Sequence, residues 1–351
     1  MYKRIIKVEV RATQDGENIF ETQDLRVSFE HRSDLARSLS KTKVLIYNLS
    51  RPNIKLLTQA PHNANEDDAE QVEPLFLRLS TGYQDDIDNG GTLQIIVEGY
   101  IMAANSYRAL PENVTELYVI PVASRIFKQS FDPFPTKGMK LKDVILKLLT
   151  GSGLFQASEV EILLQDEQAN QVVKEQIMPA AENPIFGALT RLARTYHFNV
   201  AERAGGVGIF PKLDSTPAGI SDYNYMVKDA DGKFKAKSII PQLVRGTPAI
   251  GLMTLDLDLN LDGSIFPGYL IDISNIYGNS NPEDGTAIAS IGNTGDILYY
   301  DTSVVKYGVL TKYMISAVMH VGDNYGEEWI TRIQGIVPTT GSLGDDEKGG
   351  G

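Results

Sequence analysis

Asp323, Glu327 and Glu328 fall within six residues, between the apolar runs YMISAVMHV and WITRIQGIV. Carboxylates crowded in this way could hold a divalent cation, or act as acid and base on a glycosidic bond. In DLDLNLDGSIF, the spacing of Asp258, Asn260, Asp262, Gly263 and Ile265 imitates the first half of a calcium-binding EF-hand loop. GGVG at Gly205–Gly208 has the glycine content of a phosphate cradle. The histidines, His31, His62, His197 and His320, are scattered along the chain.

The flanking residues weaken each of these chemistries. Gly322, Asp323, Asn324 and Gly326 together supply the backbone freedom that a hairpin bend requires. The twelfth position of the EF-like stretch is Tyr269 instead of a bidentate Glu, and its flanks alternate leucine with acid as a half-buried strand does. Alternate carboxylates on such a strand stand roughly 7 Å apart and repel by only about 0.6 kcal/mol in water, so no cation is required. GGVG lacks the Lys-Ser/Thr of a P-loop, and no G-x-S-x-G elbow occurs. His197 ends a helical pattern, where the helix dipole favours it. His320 has no acid placed nearby in sequence to orient it. Trp329, the single tryptophan, reads as a core or interface anchor. We therefore expect no catalytic residue, no metal and no cofactor.

With 351 residues, 42% hydrophobic and 22% charged, the chain can bury two or three cores. The formal net charge of −12 opposes a grip on nucleic acid or an anionic membrane. There is no cysteine, so disulfides, zinc–thiolate centres and thiol nucleophiles are excluded. Neither a signal-peptide pattern nor an apolar run of membrane-spanning length is present, which predicts a soluble protein made in a cytoplasm.

Strand-period alternation dominates both ends. Ile6, Val8 and Val10 share a face, as do Leu25, Val27 and Phe29, and KVLIYNLS, PLFLRLSTGY, TLQIIVEGYIMAANSY and TELYVIPVA continue the series. The acidic stretch from Ala60 to Glu73 reads as an exposed loop. In the middle, Leu141, Val144, Ile145 and Leu148 have helical spacing. A second helix is expected from Asn183 as cap and Pro184 as first residue, with Phe186, Leu189, Leu192, Ala193 and Tyr196 as its apolar stripe. The β pattern then returns as a copy, with Asn48 over Asn260, Tyr100 over Tyr313, and the RALPENV turn where the second copy has the acidic knot. The expected organisation is a β unit over 1–122, a mixed α/β unit and connector over 123–237, a second β unit over 238–339 and a disordered tail over 340–351. The fold class is mainly β with an α+β insert.

This layout, with Ile46–Ser50 (IYNLS), the P-G-x-x-I of Pro267–Ile271 and the H-x-G-D of His320–Asp323, resembles the baseplate hub proteins of contractile-tailed bacteriophages. The resemblance implies two antiparallel tail-tube-like domains, of barrel or sandwich form, flanking the insert. It implies a homotrimer that joins a six-fold tail tube to a three-fold central spike in the virion baseplate, with tape-measure and wedge proteins as further partners. DNA would pass through a channel without specific binding, past acids such as Asp256, Asp258 and Asp262. Two alternatives are the hub of a type VI secretion or pyocin-like machine, and a glycan-binding or glycan-hydrolysing tail protein using Asp323 and Glu327.

Overall fold

The structure is a computed structural model. It describes residues 3–35, 40–59, 74–127, 130–151, 153, 155–164, 166–178, 184–211, 227–228, 234–235, 237–238, 244–250, 254–273, 288–291, 296–299 and 312–336. The acidic stretch after Ala60, Asn183 and the C-terminal tail lie outside the described residues, as does most of the connector.

The first unit contains β1 (Arg4–Arg11), β2 (Asn18–Thr22), β3 (Val27–Asp34), β4 (Lys41–Tyr47), β5 (Phe76–Tyr83), β6 (Gln94–Ala109) and β7 (Glu112–Pro121), with helices α1 (Arg51–Gln59) and α2 (Gln84–Asp88). The middle unit contains α3 (Leu141–Thr150), β8 (Val160–Ile162), α4 (Asp166–Ala169), α5 (Pro184–Tyr196), β9 (Phe198–Arg203) and β10 (Gly206–Pro211). Two-residue strands β11 (Val227–Lys228), β12 (Phe234–Lys235) and β13 (Lys237–Ser238) follow. The second β unit contains β14 (Val244–Ile250), β15 (Thr254–Asn260), β16 (Leu270–Asp272), β17 (Ile288–Ile291), β18 (Asp296–Tyr299), β19 (Lys312–Asp323) and β20 (Trp329–Ile336).

Alternation converts directly into burial. Ile6, Val8 and Val10 are buried, and so are Val44 with Ile46 and Leu255 with Leu257 and Leu259. The two β units are not separate closed barrels. Their strands run in the order β14-β15-β20-β19-β3-β4-β7-β6-β5-β1-β2 through one 13-stranded sheet, and no barrel closes among the described strands. The sheet is antiparallel apart from β13, which pairs parallel with β16. In the middle unit, the small mixed sheet β8-β10-β9 packs with α3 and α5 around their own core. Pro184 opens α5 as expected. Its buried face is centred one position off the expected stripe, on Ile185, Ala188, Leu189, Leu192 and Tyr196, with Phe186 and Ala193 partly buried at the margin.

The duplication is visible in the pairing. The neighbours β3–β4, β4–β7, β7–β6 and β6–β5 recur as β14–β15, β15–β20, β20–β19 and β19–β16. Even a β-bulge is repeated, between Ile101 and Ala103 in β6 and between Ile315 and Ala317 in β19. The structural register corrects the sequence alignment by one residue. Val44 faces Leu117 as Leu257 faces Ile333, and the bulge places Tyr100 over Met314, not Tyr313. Strand parity is the reason, because the alignment of Asn48 on Asn260 sets inward Leu257 over half-exposed Leu45. The burial of Leu257 on the inward face of β15 predicts that Leu257→Ala costs about 2–4 kcal/mol by opening a core cavity. Asp258→Ala, which removes a partner of Arg332 at 3.6 Å on the solvent face, costs under about 1 kcal/mol. Urea unfolding of the two variants measures this, and equal losses would refute the assigned faces of β15.

Candidate functional site

The feature that organises the chain is the seam where the second unit's β19 adds to the first unit's β3. Seven residue pairs run from Ala317–Asp34 to Asp323–Ser28. The acidic knot lies at one end of this seam, and it is a bend. Asp323 turns its carboxylate back to accept hydrogen bonds from the amides of Tyr325 (2.9 Å) and Gly326 (2.8 Å). Its second oxygen meets the Arg26 guanidinium of the first unit at 2.9 Å. Arg26 in turn lies over the Tyr47 ring and 3.5 Å from Glu112. Next to it, Asn324 binds the strand backbone directly: its Oδ1 accepts from Val27 N (2.8 Å) and its Nδ2 donates to Leu25 O (2.9 Å). Burial opposes ionisation of Asp323, but the Arg26 and amide hydrogen bonds outweigh it and hold its pKa below the ordinary carboxylate value. Glu327 and Glu328 are exposed on the turn. The acid best placed for chemistry is thus already committed to joining the units.

At the middle of the seam, His31 and His320 face each other across the two strands, both 1% exposed, with rings stacked at 6.1 Å. Each Nδ1 meets a threonine hydroxyl on the next strand outward: Thr42 at 2.8 Å and Thr331 at 3.0 Å. Nε2 of His320 donates to the carbonyl of Ile265 (3.2 Å), while Nε2 of His31 lies 3.9 Å from the buried Glu202 carboxylate on β9. Burial, reinforced by His320, depresses the pKa of His31 to about 3. Burial raises that of Glu202 to about 8, against opposing hydrogen bonding from Ser40 and attraction by Arg203. At neutral pH the pair is therefore an uncharged imidazole beside a protonated carboxyl, which suits a buried junction of three units. The two histidines are nearly the whole chain apart in sequence. The available signal was strand parity, since His31 follows Val27 and Phe29 on the inward face and His320 follows Val318.

Other side chains lock the same junction. Trp329 and Leu261, from the second unit, sit within the first unit's core. Arg203 of the middle unit donates to Pro267 O (2.9 Å), pairs with Glu161 (3.1 Å) and lies against the rings of Tyr269, Phe266 and Phe210. Of GGVG, Gly205 (φ +71°) forms the hairpin turn between β9 and β10 with Ala204, and Gly206–Gly208 open β10. A β-carbon at Gly208 would stand 2.6 Å from the Arg203 guanidinium, so glycine there makes room for the arginine.

The acids suggested for a channel wall occupy two environments. Asp256 and Asp258 lie on the solvent face of β15, with Asp258 opposite Arg332. Asp262 lies beyond the strand, where its carboxylate caps a turn by accepting from Ser264 N (3.0 Å). The EF-like register is therefore split between a strand face and a turn. His197 is exposed in the left-handed position that follows α5, and Gln168 donates to its carbonyl. Among the described residues, no three His, Asp or Glu side chains cluster as a metal site, and no helix is long and apolar enough to cross a membrane.

Two measurements test the seam. Asp323→Asn should destabilise by roughly 1–3 kcal/mol through its charge-assisted hydrogen bonds, and Glu327→Gln should be neutral within about 0.5 kcal/mol. Equal effects in urea unfolding would revive a shared acidic site. The buried pair also has a pH signature. The neutral His31 loses its contribution as pH falls from 6.5 towards 3, whereas the protonated Glu202 loses its own as pH rises from 4.5 towards 8. The two slopes cancel between 4.5 and 6.5, so above 6.5 stability falls with pH through Glu202 alone. Glu202→Gln should remove that decline, changing the folding equilibrium relative to wild type by up to about tenfold per pH unit, as read from urea midpoints at pH 6.5–8.

The sequence matches no protein-family model and no curated protein. Solved structures do match. The Escherichia coli c3393 protein is described as a type VI secretion component with structural similarity to the T4 bacteriophage tail proteins gp27 and gp5. It superposes with a TM-score of 0.51 at 10% identity, over 94% of this chain and 76% of its own. A tail protein of Neisseria meningitidis MC58 reaches 0.49 at 12% identity over 94% and 96%. The 43 kDa tail protein of prophage MuSo2 from Shewanella oneidensis reaches 0.47 at 9% over 95% and 98%. Over 94% of its length, then, this chain shares its fold with the E. coli component.

Proposed function

We propose that the chain is a structural hub, three copies of which form a ring of six related β units that joins a six-fold tail tube to a three-fold central spike. The observation that carries this reading is the repeat itself: two units of the same strand order, already docked side by side through β3 and β19. A chain that presents two near-equivalent units per copy can match six-fold symmetry on one side while remaining three-fold on the other. In this reading 1–122 and 238–339 are the ring units, 123–237 buttresses them from outside, and 340–351 is a tail. The particle is a phage tail baseplate assembled in the host cytoplasm. The E. coli likeness fits the hub of a related injection machine equally well.

The channel for DNA is lined by the sheet face opposite the core. That face carries Asp256, Asp258, Glu30 and Glu116 interspersed with Arg332, Arg32 and Lys43, and Lys43 is paired with Glu116. Interleaved charge offers phosphates no continuous basic track, so a duplex can slide instead of binding. No catalytic step is assigned. Sedimentation of the purified chain, alone and with the spike protein, should give the mass of three copies, and negative-stain images should show an open ring. A chain that stays single and binds neither spike nor tube protein would overturn the proposal.

A further inference from the structure

The solvent face of the large sheet carries a band that the order of charges along each strand hides. Lys41 stands opposite Arg32, Arg32 opposite Met319, Met319 opposite Arg332, Arg332 opposite Asp258 and Asp258 opposite Arg245. Residues directly opposite in an antiparallel ladder share a face, so these six side chains form one row across β4, β3, β19, β20, β15 and β14. At the ordinary strand spacing the row is about 24 Å long. It holds Lys41, Arg32, Arg332 and Arg245 against the single acid Asp258. The neighbouring row is mixed: Lys43 stands opposite Glu30, and its ammonium pairs with Glu116.

The band is also poorly neutralised. Arg32 and Lys41 are exposed, and among the described residues neither side chain makes a hydrogen bond or an ion pair. Like charges directly opposite each other destabilise a ladder. They persist here in a chain whose 45 acids outnumber its 33 lysines and arginines. Arg332 meets Asp258 at 3.6 Å with side chains 50% and 43% exposed, a contact that water screens. Arg32 and Arg332 flank Met319, with Gln334 beside them, around a shallow cleft. Two guanidinium groups on either side of an apolar floor fit one phosphate, with the thioether beneath its sugar. Of the six strands only β14 has an unpaired side among the described strands, so the row offers a peptide no bare backbone and recognises by charge.

Resting on the hub reading above, we infer that this row is a phosphate-contacting band that holds the backbone of a DNA duplex at one level of the channel. Three copies present it as a collar. The cations line up across the strands and not along them, so a duplex meets one basic step in an otherwise mixed wall. It is retained there without regard to sequence and still moves when driven. The net charge of −12 keeps the grip weak, because the rest of the surface repels the same phosphates.

The probe is a fluorescein-labelled duplex of about 20 base pairs, titrated with the full chain at several salt concentrations. Binding is expected with a Kd of roughly 10⁻⁵ M near 50 mM salt, and is lost by about 200 mM. Arg32→Gln combined with Lys41→Gln should weaken it about tenfold and flatten the plot of log Kd against log salt by about 0.9 for each phosphate contact removed. Lys142→Gln combined with Lys174→Gln removes the same charge from exposed positions of the middle unit and should leave that slope unchanged. Equal losses in the two double variants, or no duplex binding at about 20 mM salt, would overturn the band. So would displacement of the duplex by poly-L-glutamate at equal charge concentration, which would make the occupant an acidic polypeptide. Sedimentation of the same samples separates the two levels of failure. A three-copy particle that ignores the duplex overturns the band and leaves the hub reading standing. A single-copy species that binds it through Arg32 and Lys41 overturns the hub reading and leaves the phosphate contact standing, and one that does not bind overturns both.

Discussion

Backbone pairing between Ala317–Asp323 and Ser28–Asp34 makes one body of two repeated units. A β-ladder has no side-chain specificity of its own, so its register must be set by what surrounds it. Here Asp323 and Asn324 grip Arg26, Leu25 and Val27 at one end, and the stacked histidines fill the middle. A one-residue slip of either strand would turn its imidazole out of its buried position and break the Asn324 contacts. The register is therefore over-determined by chemistry distributed along its length.

The middle unit shares this junction. Glu202 reaches the histidines from β9 while its neighbour Arg203 reaches the second unit's backbone at Pro267, so adjacent residues on one strand address both β units. Burying these groups is tolerable because each is neutral or multiply bonded. Arg203 meets a carbonyl, a carboxylate and three aromatic faces; Glu202 is kept protonated.

Most of the fold was legible in the sequence because alternation is a local property. Ile6-x-Val8-x-Val10 and Leu255-x-Leu257-x-Leu259 declare their buried faces without reference to anything distant. The duplication was legible as an order of elements, but the alignment slipped by one residue. Low identity leaves period-two strands free to match in either parity, and only the shared bulge after Ile101 and Ile315 fixes the phase. Trp329 was readable as an anchor, and the acidic knot as a bend. The seam itself was not legible. Nothing near Arg26 announces Asp323, and no local rule joins His31 to His320, since tertiary contacts alone create both pairs. The merging of two β units into one sheet has the same cause: strand pairing across almost the whole chain leaves no local trace.

That separation has a kinetic side. β3 leaves the ribosome early and β19 late, so the amide edge that the two will share stands bare for roughly 15 to 60 s at ordinary translation speeds of about 5–20 residues per second. During that interval β3 is open to any other nascent copy that offers a β19, and exchange between neighbouring polypeptides on one messenger becomes a natural error. The polar residues on that strand, Glu30 and Arg32, alternate with its apolar ones and keep the waiting edge hydrated until its own partner arrives.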